Sequence, residues 1–274
     1  MPTTTDKAVI LARGQGTRMR AEDGTAPLDP RQAAVADTGV KALMPLADRP
    51  FLDYVLSTLA DAGCRRVCLV VGPEHRAIRD YYTHGVSLQR LSIEFAIQEE
   101  PHGTADAVSA AADFAGRDPF LMLNSDNFYP LQACQALLDQ PGPAVALFER
   151  DALLAGSNIP PDRLVKFALG EVDAAGYLRR IIEKPDAETL SRLPPPLWVS
   201  MNCWRFGPSI FWACRSIPRS PRGEFELTMA VQYAIDVLGE RFRVVPLHAP
   251  VLDLTGRRDI ALIEAKLAGM EVRL

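Results

Sequence analysis

The sequence predicts an α/β fold with a doubly wound, mostly parallel sheet. Through residues 1–150, short apolar segments rich in β-branched side chains alternate with amphipathic helical patterns. Strands of this kind are buried on both faces, and their alternation with helices is typical of a parallel sheet. Through residues 151–274, consecutive strand patterns join at a short turn, which predicts a smaller antiparallel part. The 274 residues are expected to form one domain with these two halves.

The first half begins with a strand and then alternates regularly. Strands are predicted at residues 7–12, 66–71, 93–98, 119–124 and 144–150. Apolar residues at helical spacing predict helices at residues 51–63, 74–82 and 104–114. Gly63 is placed to end the first of these helices. Residues 20–39 are rich in Ala, Asp, Gly and Pro, and they predict a long loop that we expect to be mobile.

The second half has a different pattern. Residues 163–185 contain two strand patterns around the turn "DAAG", which predicts a hairpin. Further strands are predicted at 197–206 and 241–250. Helical patterns cover residues 210–217, 225–239 and 258–270.

Composition and charge narrow the class of protein. The chain is 48% hydrophobic and 23% charged, with a formal net charge of −4, which does not favour binding to nucleic acid or to an anionic membrane. No stretch approaches the ~18 apolar residues of a membrane span, and the first residues lack the pattern of a signal peptide. Five cysteines, an odd number, fit reduced thiols, so we expect a cytoplasmic protein.

The first strand ends in a glycine-rich, cationic loop, "AVILARGQGTRMR" (residues 8–20). A dinucleotide-binding fingerprint is excluded because Met19 stands where its third glycine should be, and the Gly-Lys-Ser/Thr of a Walker loop is absent. A loop that wraps a nucleoside triphosphate remains, with Gly14 and Gly16 admitting phosphates and Arg18 offering a forked donor. An ordinary tight turn with arginines in solvent is the alternative, and the loop alone does not exclude it.

Motifs along nearly the whole chain favour the phosphate-binding interpretation. They occur in the order "LARGQGTRMR" (11–20), "VKALMPLADRPFLDYVLSTL" (40–59), "QEEPHGTADAV" (98–108), "LNSDN" (123–127), "IIEKP" (181–185), "VSMNCWRF" (199–206), "FELTMAVQYAI" (225–235) and "VLDLTGRRDI" (251–260). In this order they resemble the sugar-1-phosphate nucleotidyltransferases. The resemblance implies a Rossmann-like sheet with an antiparallel sugar-binding layer. It also implies Mg²⁺-dependent transfer of a nucleotidyl group from a nucleoside triphosphate to a sugar-1-phosphate, giving an NDP-sugar and pyrophosphate, by a chain that can form a homo-oligomer.

The resemblance also assigns roles to individual residues. Arg18, Lys41 and Asp126 are expected to be catalytic, with Asp126 and Asp253 holding Mg²⁺. The expected nucleotide-binding residues are Leu11, Gly14, Gly16, Thr17, Gln98 and Gly103. The expected residues for the sugar phosphate are Glu183, Lys184 and Asn202.

The chain also departs from the family pattern. Arg13 replaces Ala or Gly, Val40 replaces the proline before Lys41, and Ser125 replaces the glycine before Asp126. A catalytically silent NDP-sugar-binding homologue is therefore an alternative, and so is transfer to a cyclitol or choline phosphate. The base also stays open, because the Gln98 amide suits a pyrimidine edge whereas "GTADAV" resembles the ADP-glucose-forming branch.

Overall fold

The computed structural model describes residues 5–274, in which a single mixed sheet forms the centre of the molecule. The strands are β1 (Lys7–Leu11), β2 (Pro45–Leu46), β3 (Arg49–Pro50), β4 (Arg66–Val71), β5 (Ser92–Ile97), β6 (Phe120–Asn124), β7 (Asn127–Phe128), β8 (Ala144–Glu149), β9 (Ala168–Val172), β10 (Leu178–Ile182), β11 (Trp198–Phe206), β12 (Arg243–Leu247) and β13 (Leu252–Asp253).

Helices cover both faces of this sheet. The helices are α1 (Thr17–Arg20), α2 (Pro30–Thr38), α3 (Phe51–Ala62), α4 (Arg76–Asp80), α5 (Thr104–Ala110), α6 (Ala112–Ala115), α7 (Leu131–Leu138), α8 (Arg150–Gly156), α9 (Pro161–Leu164), α10 (Ala187–Arg192), α11 (Ser209–Ser216), α12 (Leu227–Asp236) and α13 (Arg257–Leu267). A 3-10 turn spans Lys41–Leu43, and a π-helical turn spans Tyr81–Gly85.

The sheet joins a parallel part to an antiparallel part. Its order is β10-β9-β11-β6-β1-β4-β5, and β6, β1, β4 and β5 are parallel. Strand β11 is the junction, since it runs antiparallel to β6, β8 and β9, and β12 pairs with β8. The predicted strand at 144–150 is therefore present as β8, but it lies among the antiparallel strands. One sheet runs through both halves of the chain.

The alternation of side chains along each strand produces two cores. In β1, Ala8 and Ile10 face the cluster that contains Leu56 of α3, while Val9 faces the cluster that contains Val108 of α5. All five side chains are fully buried. A strand with both faces covered is the arrangement that its continuous apolar sequence predicts.

The carboxyl ends of the parallel strands meet at one edge of the sheet. Leu11 ends β1 beside Asn124 of β6, and the backbone N–H of Ser125 donates to the carbonyl of Leu11 over 3.1 Å. Beyond β5, the N–H of Gln98 donates to the carbonyl of Val71 over 2.9 Å. This edge is where parallel α/β sheets place their ligands.

The predicted loop at residues 20–39 is wrong for its second part, because Pro30–Thr38 forms helix α2. A capping box begins the helix. The Asp29 carboxylate accepts hydrogen bonds from the backbone N–H groups of Arg31 and Gln32, and the Gln32 side chain accepts one from the N–H of Asp29. Arg257 of α13 ties the segment down through Asp37, with 2.7 Å between Nη2 and Oδ1. Movement of this segment over a triphosphate stays a prediction.

Two other predicted helices are shorter than expected. The helix at 74–82 ends at Asp80 and continues as the π-helical turn. The helix at 104–114 is interrupted at Ala111, which divides it into α5 and α6. Helix α3 ends as predicted, with Gly63 in the left-handed conformation at φ 113°.

Within residues 5–274, none of the helices combines the length and the apolar character needed to cross a bilayer. The five cysteines are buried and free of disulfide bonds.

Candidate active site

Two adjoining cavities open at the carboxyl edge of the parallel strands. The Gln98 cavity has a volume of about 340 Å³, and Gln98 and Gly103 lie on its wall. The Lys184 cavity has a volume of about 500 Å³, and Arg18 and Lys184 lie on its wall. The wall that the two cavities share consists of Gly14, Gln15, Lys41, Asn124 and Asp126.

Most of the residues predicted to form the site line these cavities. Those that line the Gln98 cavity are Leu11, Gly14, Lys41, Gln98, Gly103 and Asp126. Those that line the Lys184 cavity are Gly14, Gly16, Thr17, Arg18, Lys41, Asp126, Lys184 and Asp253. Glu183 and Asn202 are not among the described residues on either wall, so their contact with a sugar stays a prediction.

The two glycines of the first loop have different structural roles. Gly16 is left-handed at φ 61°, and a Cβ added to it would lie 2.1 Å from the carbonyl oxygen of Gly39. The fold therefore requires glycine at this position for the close passage of two backbones. At Gly14 a Cβ would meet only Lys41 Cε, at 4.0 Å. Gly14 is free of crowding from the protein, so it leaves room in both cavities.

Lys41 follows Gly39 by two residues, and the 3-10 turn fixes its position. Its N–H donates to the carbonyl of Gly39 over 2.9 Å, and its carbonyl accepts from the N–H of Met44 over 3.0 Å. The Lys41 ammonium donates to Oδ2 of Asp126. Val40 therefore does not loosen Lys41, because the turn forms without the proline.

The two predicted metal ligands meet through a very short antiparallel pair. In the pairing of β7 with β13, Asp253 lies opposite Asn127, and Leu254 donates its N–H to the carbonyl of Asp126 over 2.8 Å. Asp253 is buried and accepts from Asn127 Nδ2 over 3.1 Å and from Thr255 Oγ1 over 2.7 Å. Burial and the negative charge of Asp126 raise the pKa of Asp253 to about 6.

A network behind Asp253 includes residues that the sequence motifs do not mark. Arg163 binds Asp259, with Nη1 at 2.9 Å from Oδ2, and its Nε lies 3.4 Å from Asp253 Oδ2. The Asn158 side chain donates to the Asp253 carbonyl over 2.9 Å and accepts from the Asp253 N–H over 2.8 Å. These contacts help to hold Asp253 in place.

The donor set at the two carboxylates fits one hard cation. Among residues 5–274, no group of three or more His, Cys, Asp and Glu side chains could hold a metal. Two carboxylates with further oxygen ligands from phosphate and water are nevertheless the arrangement that Mg²⁺ often takes. A cation beside Asp126 and Asp253 would also offset the repulsion that raises the pKa of Asp253.

In the Gln98 cavity, the protein itself fixes the orientation of the Gln98 amide. Nε2 donates to the carbonyl of Gly103 over 3.1 Å and to Asp106 Oδ2 over 2.7 Å. Since a carboxylate only accepts, both amide hydrogens are used inside the protein and Oε1 is left as an acceptor. Gly103, at φ 117°, packs against Phe225, where an added Cβ would lie 2.5 Å from the carbonyl oxygen. Asp106 lies within the motif at residues 98–108, but sequence reasoning assigned it no part in orienting Gln98.

Two predicted sugar-site residues have left-handed backbones. Lys184 has φ 43° and Asn202 has φ 56°, both uncommon for residues other than glycine. Asn202 lies where the pairing of β11 with β8 shifts register, so a bulge redirects its side chain. Its carbonyl accepts from the buried Tyr129 hydroxyl over 3.3 Å, which connects it to the segment that carries Asp126. Glu183 lies 3.8 Å from the guanidinium of Arg222.

The Lys184 cavity is strongly cationic. Lys41 and Arg163 on its wall are paired with carboxylates. Arg18, Lys166 and Lys184 form no ion pair with any carboxylate in the part of the chain that the structure describes. The cavity can therefore neutralise an anionic ligand. Lys166 is a further residue that sequence reasoning missed, since a single lysine before a strand belongs to no motif.

Known proteins resemble this chain in sequence and in fold. The sequence profile described as Nucleotidyl transferase matches residues 7–245. The low-salt glycan biosynthesis nucleotidyltransferase Agl11 of Haloferax volcanii is 30% identical over 237 residues, which cover 84% of this chain and 59% of that protein. Glucose-1-phosphate thymidylyltransferase of Streptomyces griseus is 31% identical over 230 residues, which cover 84% of this chain and 57% of that protein. The chain thus spans less than two thirds of the length of these relatives.

Solved structures share the fold. A UDP-glucose pyrophosphorylase complexed with UDP-glucose superimposes with a TM-score of 0.73 at 17% identity, covering 97% of this chain and 100% of the other. A UTP-bound UGPase from Acinetobacter baumannii gives a TM-score of 0.73 at 18% identity, covering 98% and 95%. The α/β fold expected from the sequence is confirmed.

Proposed function

The chain belongs to the nucleotidyl transferase family, and from this premise we propose that it transfers a nucleotidyl group from a nucleoside triphosphate to a sugar-1-phosphate. The products are an NDP-sugar and pyrophosphate. The acceptor is proposed because thymidylyl- and uridylyltransferases of glucose-1-phosphate are among the relatives. A cytoplasmic location and assembly into a homo-oligomer stay predictions.

The observation that carries the proposal is the pairing of β7 with β13. This pair brings Asp126 and Asp253 together across a gap of more than a hundred residues, beside Lys41 and on the wall of the cavity that also holds Arg18 and Lys184. An arrangement of carboxylates and cations at the carboxyl edge of a parallel sheet suits a reaction between two phosphate esters. It has little use in a protein that merely holds an uncharged ligand.

The chemistry is in-line attack of an acceptor phosphate oxygen on the α-phosphorus of the triphosphate. Attacking group and electrophile are both anionic, so the protein must bring them together and offset their repulsion. Lys41 lies on the wall that both cavities share and is assigned to the α-phosphate. Arg18 is assigned to the departing pyrophosphate, where its guanidinium stabilises the charge that develops in the transition state. Lys184 is assigned to the acceptor phosphate.

Asp126 and Asp253 are proposed to hold Mg²⁺, with the remaining ligands supplied by phosphate and water. When bound, the ion supplies positive charge to the phosphate oxygens. The contacts from Asn127, Thr255 and Asn158 hold Asp253 in a fixed orientation on the protein side.

The Gln98 cavity is proposed to bind the base. Because Asp106 and the Gly103 carbonyl take both amide hydrogens, Gln98 offers Oε1 as an acceptor. This favours a base whose edge presents an N–H donor, such as uracil or thymine at N3. The orientation of the Gln98 amide therefore favours a base with such a donor over the adenine that the "GTADAV" motif suggests.

Pyrophosphate release tests the proposal. Purified protein with Mg²⁺ is assayed with ATP, CTP, GTP, UTP and dTTP, each combined with glucose-1-phosphate and a few other sugar phosphates. Release that depends on both substrates and on the metal is expected with at least one pair. The variant Asp126→Asn is the control for contaminating activity.

The alternatives predict other outcomes of the same assay. Release only when a cyclitol or choline phosphate replaces the sugar phosphate would overturn the acceptor but keep the reaction. Tight binding of an NDP-sugar, with no release from any pair, would overturn the enzymatic proposal and favour a silent homologue.

A further inference from the structure

Lys166 is a cation on the wall of the Lys184 cavity to which no sequence motif assigns a role. It follows helix α9 and precedes β9, and the turn that carries it is fixed. The N–H of Lys166 donates to the carbonyl of Arg163 over 3.0 Å, and the N–H of Phe167 donates to the carbonyl of Leu164 over 3.2 Å. The position of the lysine backbone is therefore set by the fold, while its side chain is exposed to the cavity.

Lys166 and Lys184 lie at the same end of one hairpin. In the antiparallel register, Ile182 of β10 lies opposite Leu169 of β9. Residues just before β9 and just after β10 therefore flank each other. Lys184 has a left-handed backbone at φ 43°, an uncommon conformation that its surroundings must maintain. Both lysines then line the same cavity.

Neither lysine is held by an ion pair in the described part of the chain, although the adjacent Glu183 carboxylate interacts electrostatically with Lys184. Within residues 5–274, Lys166 and Lys184 form no ion pair, although Lys41 and Arg163 on the same wall do. Two ammonium groups that line one cavity repel each other, and a dianion bound between them offsets that repulsion. A phosphate monoester is such a dianion at neutral pH, whereas Lys184 alone supplies one positive charge.

We propose that Lys166 and Lys184 together form the binding site for the phosphate of the acceptor, with Lys166 as the second cation. This inference rests on the proposed function. It assigns Lys166 to the acceptor rather than to the triphosphate, because the lysine belongs to the hairpin of Lys184 and not to the loop of Arg18. Lys166 therefore sets the affinity for an acceptor that carries a phosphate dianion.

Steady-state kinetics of Lys166→Gln test this assignment. The KM for the sugar-1-phosphate is expected to rise about 10- to 100-fold, as for the loss of one charge-assisted hydrogen bond, while the KM for the nucleotide changes by less than about threefold. Lys166→Arg should restore most of the acceptor affinity, because it keeps the charge. Thermal unfolding should match that of the wild type, since the side chain is exposed.

Arg180→Gln is the matched control. Arg180 lies on β10 of the same hairpin, is exposed, and lines neither cavity among the described residues. Its loss removes the same charge from the same hairpin, so the acceptor KM should stay at the wild-type value. An equal rise in both variants would show a general electrostatic effect and would overturn the assignment.

The remaining outcomes separate this inference from the proposed function. An unchanged acceptor KM in an active Lys166→Gln variant, or a rise in the nucleotide KM alone, would overturn the role of Lys166 and leave the reaction intact. If the wild type turns over no acceptor, the proposed function fails. Titration calorimetry with inorganic phosphate then decides the lysine pair, because loss of phosphate binding in Lys166→Gln supports it and unchanged binding overturns it.

Discussion

The two cavities differ in how far the protein satisfies its own polar groups. In the Gln98 cavity, the Gln98 amide donates twice to the protein, and Gly103 packs tightly on Phe225. In the Lys184 cavity, Arg18 and Lys184 have no ion-pair partner in the part of the chain described by the structure. The polar groups of the first cavity are already oriented by the protein, whereas the second cavity holds cations without an ion-pair partner, which an anionic ligand would neutralise. Under the proposed function, base selection would depend on the first cavity and affinity for phosphate on the second.

The largest expected effect is the loss of kcat/KM when a cation is removed from the wall that the two cavities share. Lys41→Ala removes the cation that pairs with Asp126 and that we assign to the α-phosphate. We expect kcat/KM to fall about 10²- to 10³-fold, in line with the loss of one preorganised donor at a transition state. Lys266→Ala, which removes an exposed lysine of α13, is the control. Turnover close to that of the wild type would contradict the role of Lys41.

The pH dependence of the unfolding free energy tests the ionisation of Asp253 on the wall of the Lys184 cavity. Asp253 has a folded pKa near 6, above its unfolded value, so the folded state favours the protonated form. Its stabilising contribution is present below about pH 4 and is lost as the pH rises through 6. In metal-free buffer, the free energy of unfolding of the wild type should therefore fall by about 2–3 kcal/mol relative to Asp253→Asn between pH 4 and pH 8.

Denaturant unfolding at several pH values measures this difference. Excess Mg²⁺ should reduce the loss in the wild type, because a bound cation favours the ionised carboxylates. Parallel pH curves for the two proteins would show that Asp253 does not titrate in this range.

A pair of glycine substitutions separates a glycine that the fold needs at the wall of the Gln98 cavity from one that borders open space in both cavities. Gly103→Ala places a Cβ 2.5 Å from the Phe225 carbonyl at φ 117° and should cost about 1–3 kcal/mol of unfolding free energy. Gly14→Ala meets no atom closer than 4.0 Å, so the unfolding free energy should be nearly unchanged while the KM for the triphosphate rises. Thermal and denaturant unfolding, with nucleotide kinetics, measure both. Equal loss of stability in the two variants would remove the distinction.

The smallest expected effect is on base selection. Asp106→Asn allows the Gln98 amide to rotate so that its oxygen and nitrogen exchange positions, because an asparagine side chain can also donate a hydrogen bond. The ratio of kcat/KM for the preferred and the next nucleotide should fall about tenfold, with kcat on the preferred one almost unchanged. Asp113→Asn, an exposed position on α6, removes the same charge as a control. An unaltered ratio would mean that Gln98 does not read the base.

The sequence predicts those parts of the molecule that have a local signal. Apolar strands are read from β-branched runs, and the end of α3 is read from Gly63. Helix α2 also had a signal, a proline at its start and the pair Asp29 and Gln32 at capping distance, but the composition of residues 20–39 obscured it. The loop expectation failed because composition is a weaker guide than the pattern of caps.

Site residues that belong to sequence motifs were predictable. Residues that reach the site only through contacts between distant parts of the chain were not. Asp126 and Asp253 were identified by resemblance, yet the two-residue strands that join them are too short to show any periodicity. Arg163 of α9 and Lys166 in the turn before β9 both line the Lys184 cavity, and no local pattern distinguishes them from surface cations. Such residues are found only once the topology is known.

The close passage of Gly16 and Gly39 has a consequence for the divergence of this chain. The two glycines hold the segment between them together at its base, since Gly39 lies against Gly16 and Lys41 follows two residues later. Residues 21–38 therefore leave and re-enter the fold at one point, and their length does not set the distance between Arg18 and Lys41. We therefore expect an insertion or a grafted peptide at Gly24 to leave the catalytic edge in place, because it would extend a segment that is closed at its base, provided that the ion pair of the adjacent Asp23 with Arg258 is kept.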